Sequence, residues 1–288
     1  MNEQMRVMVA VDGSIYSAAA VSDLRRAGLP PRTEVRVVSV ADTINTPAVS
    51  EFDLVSLASV RPQAVIGREF ANREFAHSEA QRHAAEAADV LKSELPEMKV
   101  SHEALEGKPE NELLRVAWEW EPDLIVTGSH GHSTLKRLLL GSVSTAVADK
   151  AETSVRIVPK SFEQSDAEGA KLLIGVRGTM DAEHVVDVLK ERVWSDGTQI
   201  RLMVIDEFAR TGEDPTVDEL AQYQEIARTL SNESTHVSVD IRTGDPEFLL
   251  LSEAESWHAD SIFIPASTLS RIAAGLAARF VSPVEVVR

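Results

Sequence analysis

Hydrophobic positions in this chain fall into two kinds of run, short unbroken ones and longer ones with helical spacing. Arg6–Val11 (RVMVAV) has no helical period and reads as a strand covered on both faces. Lys171–Val176 (KLLIGV) repeats it 165 residues later. The offset holds without a gap: Gly13 falls on Gly178, Val21 on Val186, Leu24 on Leu189 and Thr33 on Thr198. The next strands align as well, residues 35–40 (VRVVSV) on 200–205 (IRLMVI). A second matched block has an offset of 137, with Gly107, Pro109 and Glu110 on Gly244, Pro246 and Glu247, and Asp123 on Asp260. Proline in a first turn marks the start of a helix. Each half closes on an apolar strand, residues 155–158 (VRIV) and Val284–Val287 (VEVV).

Each half therefore predicts five strands alternating with four helices. That alternation implies right-handed crossovers and a mostly parallel sheet with helices on both faces. The expected fold is α/β: two tandem doubly wound, Rossmann-like domains, each with a mostly five-stranded parallel sheet. Residues 62–95 predict a long second helix in the first half, and about 217–230 its shorter counterpart. Residues 159–170 (PKSFEQSDAEGA) are polar and aperiodic and read as a linker, giving domains at 1–158 and 171–288.

Composition narrows the function. The 288 residues contain no cysteine, which excludes disulfides, thiolate metal sites and cysteine nucleophiles. With 29 basic and 46 acidic residues the net charge is −17, and such a surface repels phosphate backbones, so no nucleic-acid partner is expected. The excess is uneven, because residues 1–160 carry 18 basic and 23 acidic side chains and residues 161–288 carry 11 and 23. A small anion is better tolerated in the first half. Apolar runs fall far short of a membrane span and the N-terminus has no leader pattern, so a cytoplasmic protein without membrane contact is expected.

In doubly wound sheets, ligands bind beyond the carboxyl ends of the strands, where the strand order reverses. Asp12, Gly13 and Ser14 follow the first strand. After the fourth comes a stretch with Gly128, His130, Gly131, Gly141, Ser142 and Ser144. Gly128 and Gly131 let the backbone turn sharply and approach a ligand. Gly141 and Ser142 open a helix, predicted over 143–150, whose free N–H groups and dipole suit an anion. The serines add hydroxyl donors. No Gly-Lys-Ser/Thr follows the glycines and no GxGxxG follows a first strand, so neither a Walker loop nor a dinucleotide fingerprint is present.

Gly128, Gly131, Gly141 and Ser142 match the spacing Gly, two residues, Gly, nine residues, Gly, Ser/Thr. With the flanking GSHG and LLGSVS strings, Asp12, Val40 and the VRIV strand, the chain resembles a tandem universal stress protein of the ATP-binding branch. The fold that the resemblance implies is the adenine nucleotide alpha hydrolase-like one. It further implies ATP, ADP or AMP in the first domain, with magnesium bridging the phosphates. Asp12 would contact the ribose or adenine end, the Val40 backbone the adenine edge, and Val11 and Thr127 the base pocket. Backbone N–H groups near Gly128, His130, Gly131, Gly141, Ser142, Val143 and Ser144 would hold ribose and phosphates. A stress-response role, a homodimer of tandem chains and a protein partner of unspecified kind belong to the same expectation. Antiparallel pairing of the last strands, VRIV with VEVV, is expected within one chain. Alternatives are a slow ATPase and a nucleotide-free interaction module.

The second half breaks the pattern. Arg177 stands where Asp12 stood, Pro265 stands where Gly128 stood, and eight residues are missing where the phosphate loop would lie. Counting back from the last strand puts Ser270 and Arg271 at Gly141 and Ser142. No nucleotide is expected there, and a scaffold role is. Arg177 and Arg271 are the candidates for a different anion site.

Overall fold

The computed structural model describes residues 4–42, 62–131, 140–160, 169–206, 217–232 and 234–288. The first half runs β1 (Arg6–Val11), α1 (Ile15–Asp23), a 3-10 turn (Leu24–Arg26), β2 (Glu34–Asp42), α2 (Pro62–Glu94), β3 (Lys99–Gly107), α3 (Pro109–Trp120), β4 (Leu124–Gly128), α4 (Ser142–Lys150) and β5 (Ser154–Val158). The second runs β6 (Lys171–Val176), α5 (Thr179–Lys190), β7 (Thr198–Asp206), α6 (Val217–Arg228), β8 (Thr235–Thr243), α7 (Pro246–Trp257), β9 (Ser261–Pro265), α8 (Ala266–Arg279) and β10 (Val284–Val287). Most of the linker between β5 and β6, and residues 43–61 before α2, lie outside the described residues.

All ten strands form one sheet in the order β3-β2-β1-β4-β5-β10-β9-β6-β7-β8. Within each half every pairing is parallel. The halves join through β5 and β10, which run antiparallel with Arg156 opposite Glu285. Strands closed on both sides by helices bury both faces, and β4 and β5 are buried along their whole lengths. One apolar cluster is continuous across the join and includes Val147 and Ala148 of α4 with Leu276 and Ala277 of α8. On the opposite face each half has its own cluster, Ala84, Ala88 and Leu91 of α2 packing on β1 and β2 in the first, and Val185 and Leu189 of α5 in the second.

The repeat extends to individual side chains where the strands begin. Asp123 Oδ2 accepts the Arg6 N–H at 2.7 Å, and Asp260 Oδ2 accepts the Lys171 N–H at 2.8 Å. Arg36 lies 4.3 Å above the Trp120 ring, and Arg201 lies 4.3 Å above Trp257. Helices α3 and α7 both end on a left-handed residue, Glu121 (φ 47°) and His258 (φ 55°). Trp118, two residues from Trp120, points away into solvent. Among the described residues no helix is long and apolar enough to cross a membrane.

Candidate functional site

Strand order reverses between β1, whose chain continues to β2, and β4, whose chain continues to β5. The crevice beyond their carboxyl ends collects most of the residues singled out by sequence. Val11, the last residue of β1, and Thr127, one residue before the end of β4, are buried, and Val40 lies half-buried near the end of β2. Asp12 follows β1, and its Oδ1 accepts the Ser14 N–H at 3.0 Å. Gly13 takes φ +76°, a left-handed turn that favours glycine, and the His83 ring of α2 lies over it where a side chain would project. Ser14 then caps α1 by accepting the Ser17 N–H at 3.2 Å.

The described ends of the stretch after β4 meet. Ser129 N–H donates to Val158 O and Gly141 N–H donates to Ser129 O, both at 2.8 Å. The two ends of the glycine-spaced stretch are therefore adjacent in space. Residues 132–139 between them, including His132, Lys136 and Arg137, lie outside the described residues. Helix α4 starts at Ser142, one residue earlier than the sequence implies, with Gly141 as a cap that has no side chain. Its first i→i−4 bond runs from Thr145 N–H to Gly141 O at 2.9 Å. The N–H groups of Ser142, Val143 and Ser144 precede that bond, and the first turn holds no acidic residue.

Two details sharpen the picture of the glycines and of Ser144. None of Gly128, Gly131 and Gly141 has positive φ. Their missing side chains serve close packing instead: a Cβ on Gly128 would lie 2.7 Å from the Tyr16 backbone, one on Gly131 2.8 Å from Asp12 Oδ2, and one on Gly141 3.3 Å from His130 Cα. The Ser144 hydroxyl is also not aimed at a ligand. It donates to Gly128 O at 2.6 Å, tying the helix to the strand end, so Ser144 offers the crevice only its backbone.

Two residues that the sequence reading passed over, Tyr16 and His83, join His130, which it named, to complete the site. Tyr16 packs on His130 with ring centroids 4.9 Å apart. His83 reaches the Asp12–Ser14 turn from α2. His130 Nδ1 lies 3.0 Å from Ser129 Oγ, while its Nε2 is buried with no hydrogen-bond partner among the described residues. An unpaired buried ring nitrogen carries an energetic cost that a ligand atom can remove.

In the second half the same position is closed. Helix α8 begins at Ala266, directly after β9, with no intervening loop. Asp181, in the first turn of α5, is buried at its N-terminus: Oδ1 accepts from Ser267 Oγ at 2.7 Å and Oδ2 from Thr268 Oγ1 at 2.5 Å. The Arg177 N–H also reaches Oδ2, at 3.3 Å. The Asp181 carboxylate thus ties the first turn of α5 to hydroxyls in the first turn of α8. Ser270 and Arg271 lie inside α8 and form no phosphate loop.

Doubly wound topology with a crevice at the switch point defines a Rossmann-like α/β protein. The sequence pattern of the universal stress protein family matches residues 4–159, and the chain belongs to that family. A universal stress protein of Methanocaldococcus jannaschii is 29% identical over 164 residues, covering 55% of this chain and 84% of that protein. One from Bacillus subtilis is 27% identical over 155 residues, covering 53% and 97%. A solved universal stress protein from Archaeoglobus fulgidus superposes with a TM-score of 0.64 at 19% identity, covering 98% of this chain and 96% of that one. That likeness extends the shared fold over both halves.

Proposed function

We propose that the first half binds ATP, with ADP or AMP as alternative occupants, as a structural or signalling ligand in a stress response, and that the second half is a non-binding scaffold. The observation that carries this reading is the uncapped N-terminus of α4, brought by the Ser129–Gly141 bond beside Asp12 at the switch point. The N–H groups of Ser142, Val143 and Ser144 suit phosphate oxygens, and His130 Nε2 supplies one further polar atom. The Asp12 carboxylate accepts from a ribose hydroxyl. Val11, Val40 and Thr127 line the base end, with the Val40 backbone at the adenine edge.

Among the described residues no group of three His, Asp or Glu side chains is placed to hold a metal ion. Magnesium would then enter with the nucleotide, ligated by phosphates and water. Binding favours whichever conformation holds the nucleotide better, so occupancy can report ATP level to a protein partner. The test is the nucleotide released when the purified protein is denatured, together with Mg-ATP titration. About one equivalent per chain is expected, lost in Gly141→Val, whose side chain would press on His130. Two equivalents would refute the scaffold role of the second half, and none by either method would refute nucleotide binding.

A further inference from the structure

The join between the halves is built around buried charge. Arg156 of β5 donates to Asp23 Oδ2 at 2.5 Å and Oδ1 at 3.1 Å, to Glu285 Oε2 of β10 at 3.3 Å and to Ser261 Oγ of β9 at 2.9 Å. Arg192 donates to Glu285 Oε1 at 2.5 Å and to Ala27 O of the first half at 2.7 Å. All four charged side chains are buried.

The register gives this network a symmetry. Residues 155–158 are the repeat counterparts of Val284–Val287, and the pairs are Val284 with Ile157, Glu285 with Arg156, and Val286 with Val155. Arg156 thus faces its own counterpart, on the axis that relates the halves. If β5 paired with β5 of a second copy in this register, Arg156 would face Arg156. Its other cross-half acceptor, Ser261, would become Leu124, which accepts nothing. If β10 paired with β10, Glu285 would face Glu285, and the two Arg192 side chains would run toward each other's backbone, because Arg192 is the counterpart of Ala27. Asp23 and Arg192 travel with their own halves, so discrimination comes from the groups that face one another rather than from total charge.

Shape repeats the message. The Trp194 ring lies over Gly28, where a Cβ would be 2.7 Å from the ring, and the Val193 N–H donates to Gly28 O at 2.8 Å. The counterpart of Gly28 is Val193, so in a pairing of two second halves the indole would meet a branched side chain.

We propose that Arg156 facing Glu285, with Trp194 seated on Gly28, is a partner-selection device: the joining face of each half accepts only the opposite half, from its own chain or from a second copy, and rejects its own kind. The proposal is independent of what the crevice binds.

Full-length Arg156→Glu and Glu285→Arg chains test it, each refolded alone and as an equimolar mixture, with species weighed by native mass spectrometry. Each variant alone puts like charges across the join, in the monomer and in its homodimer. The mixture restores opposite charges across the join for opposite halves and for like halves alike, so it reads the charge contact, and a cut wild-type chain reads the choice of partner. The expected result is loss of the compact monomer in each variant and a 1:1 two-chain species at least tenfold above either homodimer in the mixture. A variant that stays a compact monomer like the wild type overturns the proposal, as do homodimers at parity with the mixed species. Wild-type chain with a protease site between Val158 and Lys171 reads the partner choice, and it decides alone should both variants precipitate. It is cut after purification, unfolded and refolded. First–second pairs in at least tenfold excess over like pairs support the device, and a statistical 1:2:1 distribution overturns it.

Discussion

The two halves agree at one end of the sheet and part at the other. Where strands begin, Asp123 and Asp260 receive matching backbone N–H groups, and Arg36 and Arg201 cover matching tryptophans. Where strands end, the first half has a loop between β4 and α4 whose ends meet at Ser129 and Gly141, and the second runs directly from β9 into α8, with Asp181 of α5 accepting from Ser267 and Thr268. The two ends of the sheet thus diverge separately within one repeat. A half can lose its crevice and still supply β10 and Glu285 to the join.

The largest expected effect lies at that join. Burial by itself disfavours the charged Arg156 guanidinium, and Asp23 and Glu285 more than offset this, holding it above its ordinary value. Replacing it with methionine leaves two buried carboxylates, one with no remaining guanidinium in the network. Loss of one member of a buried ion pair costs about 3–5 kcal/mol. Urea unfolding of Arg156→Met checks this, and a loss below about 1 kcal/mol would remove the join from the list of features that hold the halves together.

Next come the two divergent crevices. Asp12→Ala removes a charged acceptor from the first, and hydrogen bonds to charged groups contribute about 1.5–3 kcal/mol, so Mg-ATP affinity falls roughly 10- to 100-fold in calorimetry with little change in stability. Asp181→Ala has the opposite profile. It strips the partners of Ser267, Thr268 and the Arg177 N–H, costs about 1–3 kcal/mol of stability, and leaves nucleotide stoichiometry unchanged. If both variants changed the same observable, the division of labour between the halves would fail.

Much of this was legible beforehand. Gap-free offsets revealed the strands, because buried parallel strands are short apolar runs and turn glycines keep their places. The doubly wound pattern pointed to the crevice at the switch point, and the structure shows that Gly128, Gly131 and Gly141 pack closely there without positive φ. What stayed hidden depended on partners distant in sequence. At the offset of 165, Tyr16 falls on Asp181, an aromatic replaced by an acid in a first helical turn. That exchange was visible, but its meaning required Ser267 and Thr268, 86 and 87 residues away. Arg156 inside an apolar strand was visible too. Its acceptors come from α1, β9 and β10, and only the folded sheet assembles them.

The smallest effect tests the end where the halves agree. Asp123→Ala and Asp260→Ala each remove the carboxylate that receives the first backbone N–H of a central strand, so their costs should match to first order. They should not match completely. Asp260 Oδ1 also lies 3.4 Å from Arg26 Nη1, a bridge from the second half to the first, with both side chains 19% exposed. Partly exposed pairs contribute about 0.2–1 kcal/mol, so Asp260→Ala should cost more than Asp123→Ala by that amount. Repeating both substitutions in an Arg26→Met background should abolish the difference, because the bridge is then already gone. A difference that survives would mean that the two strand starts are not equivalent, and that the repeat has diverged at its structural end as well.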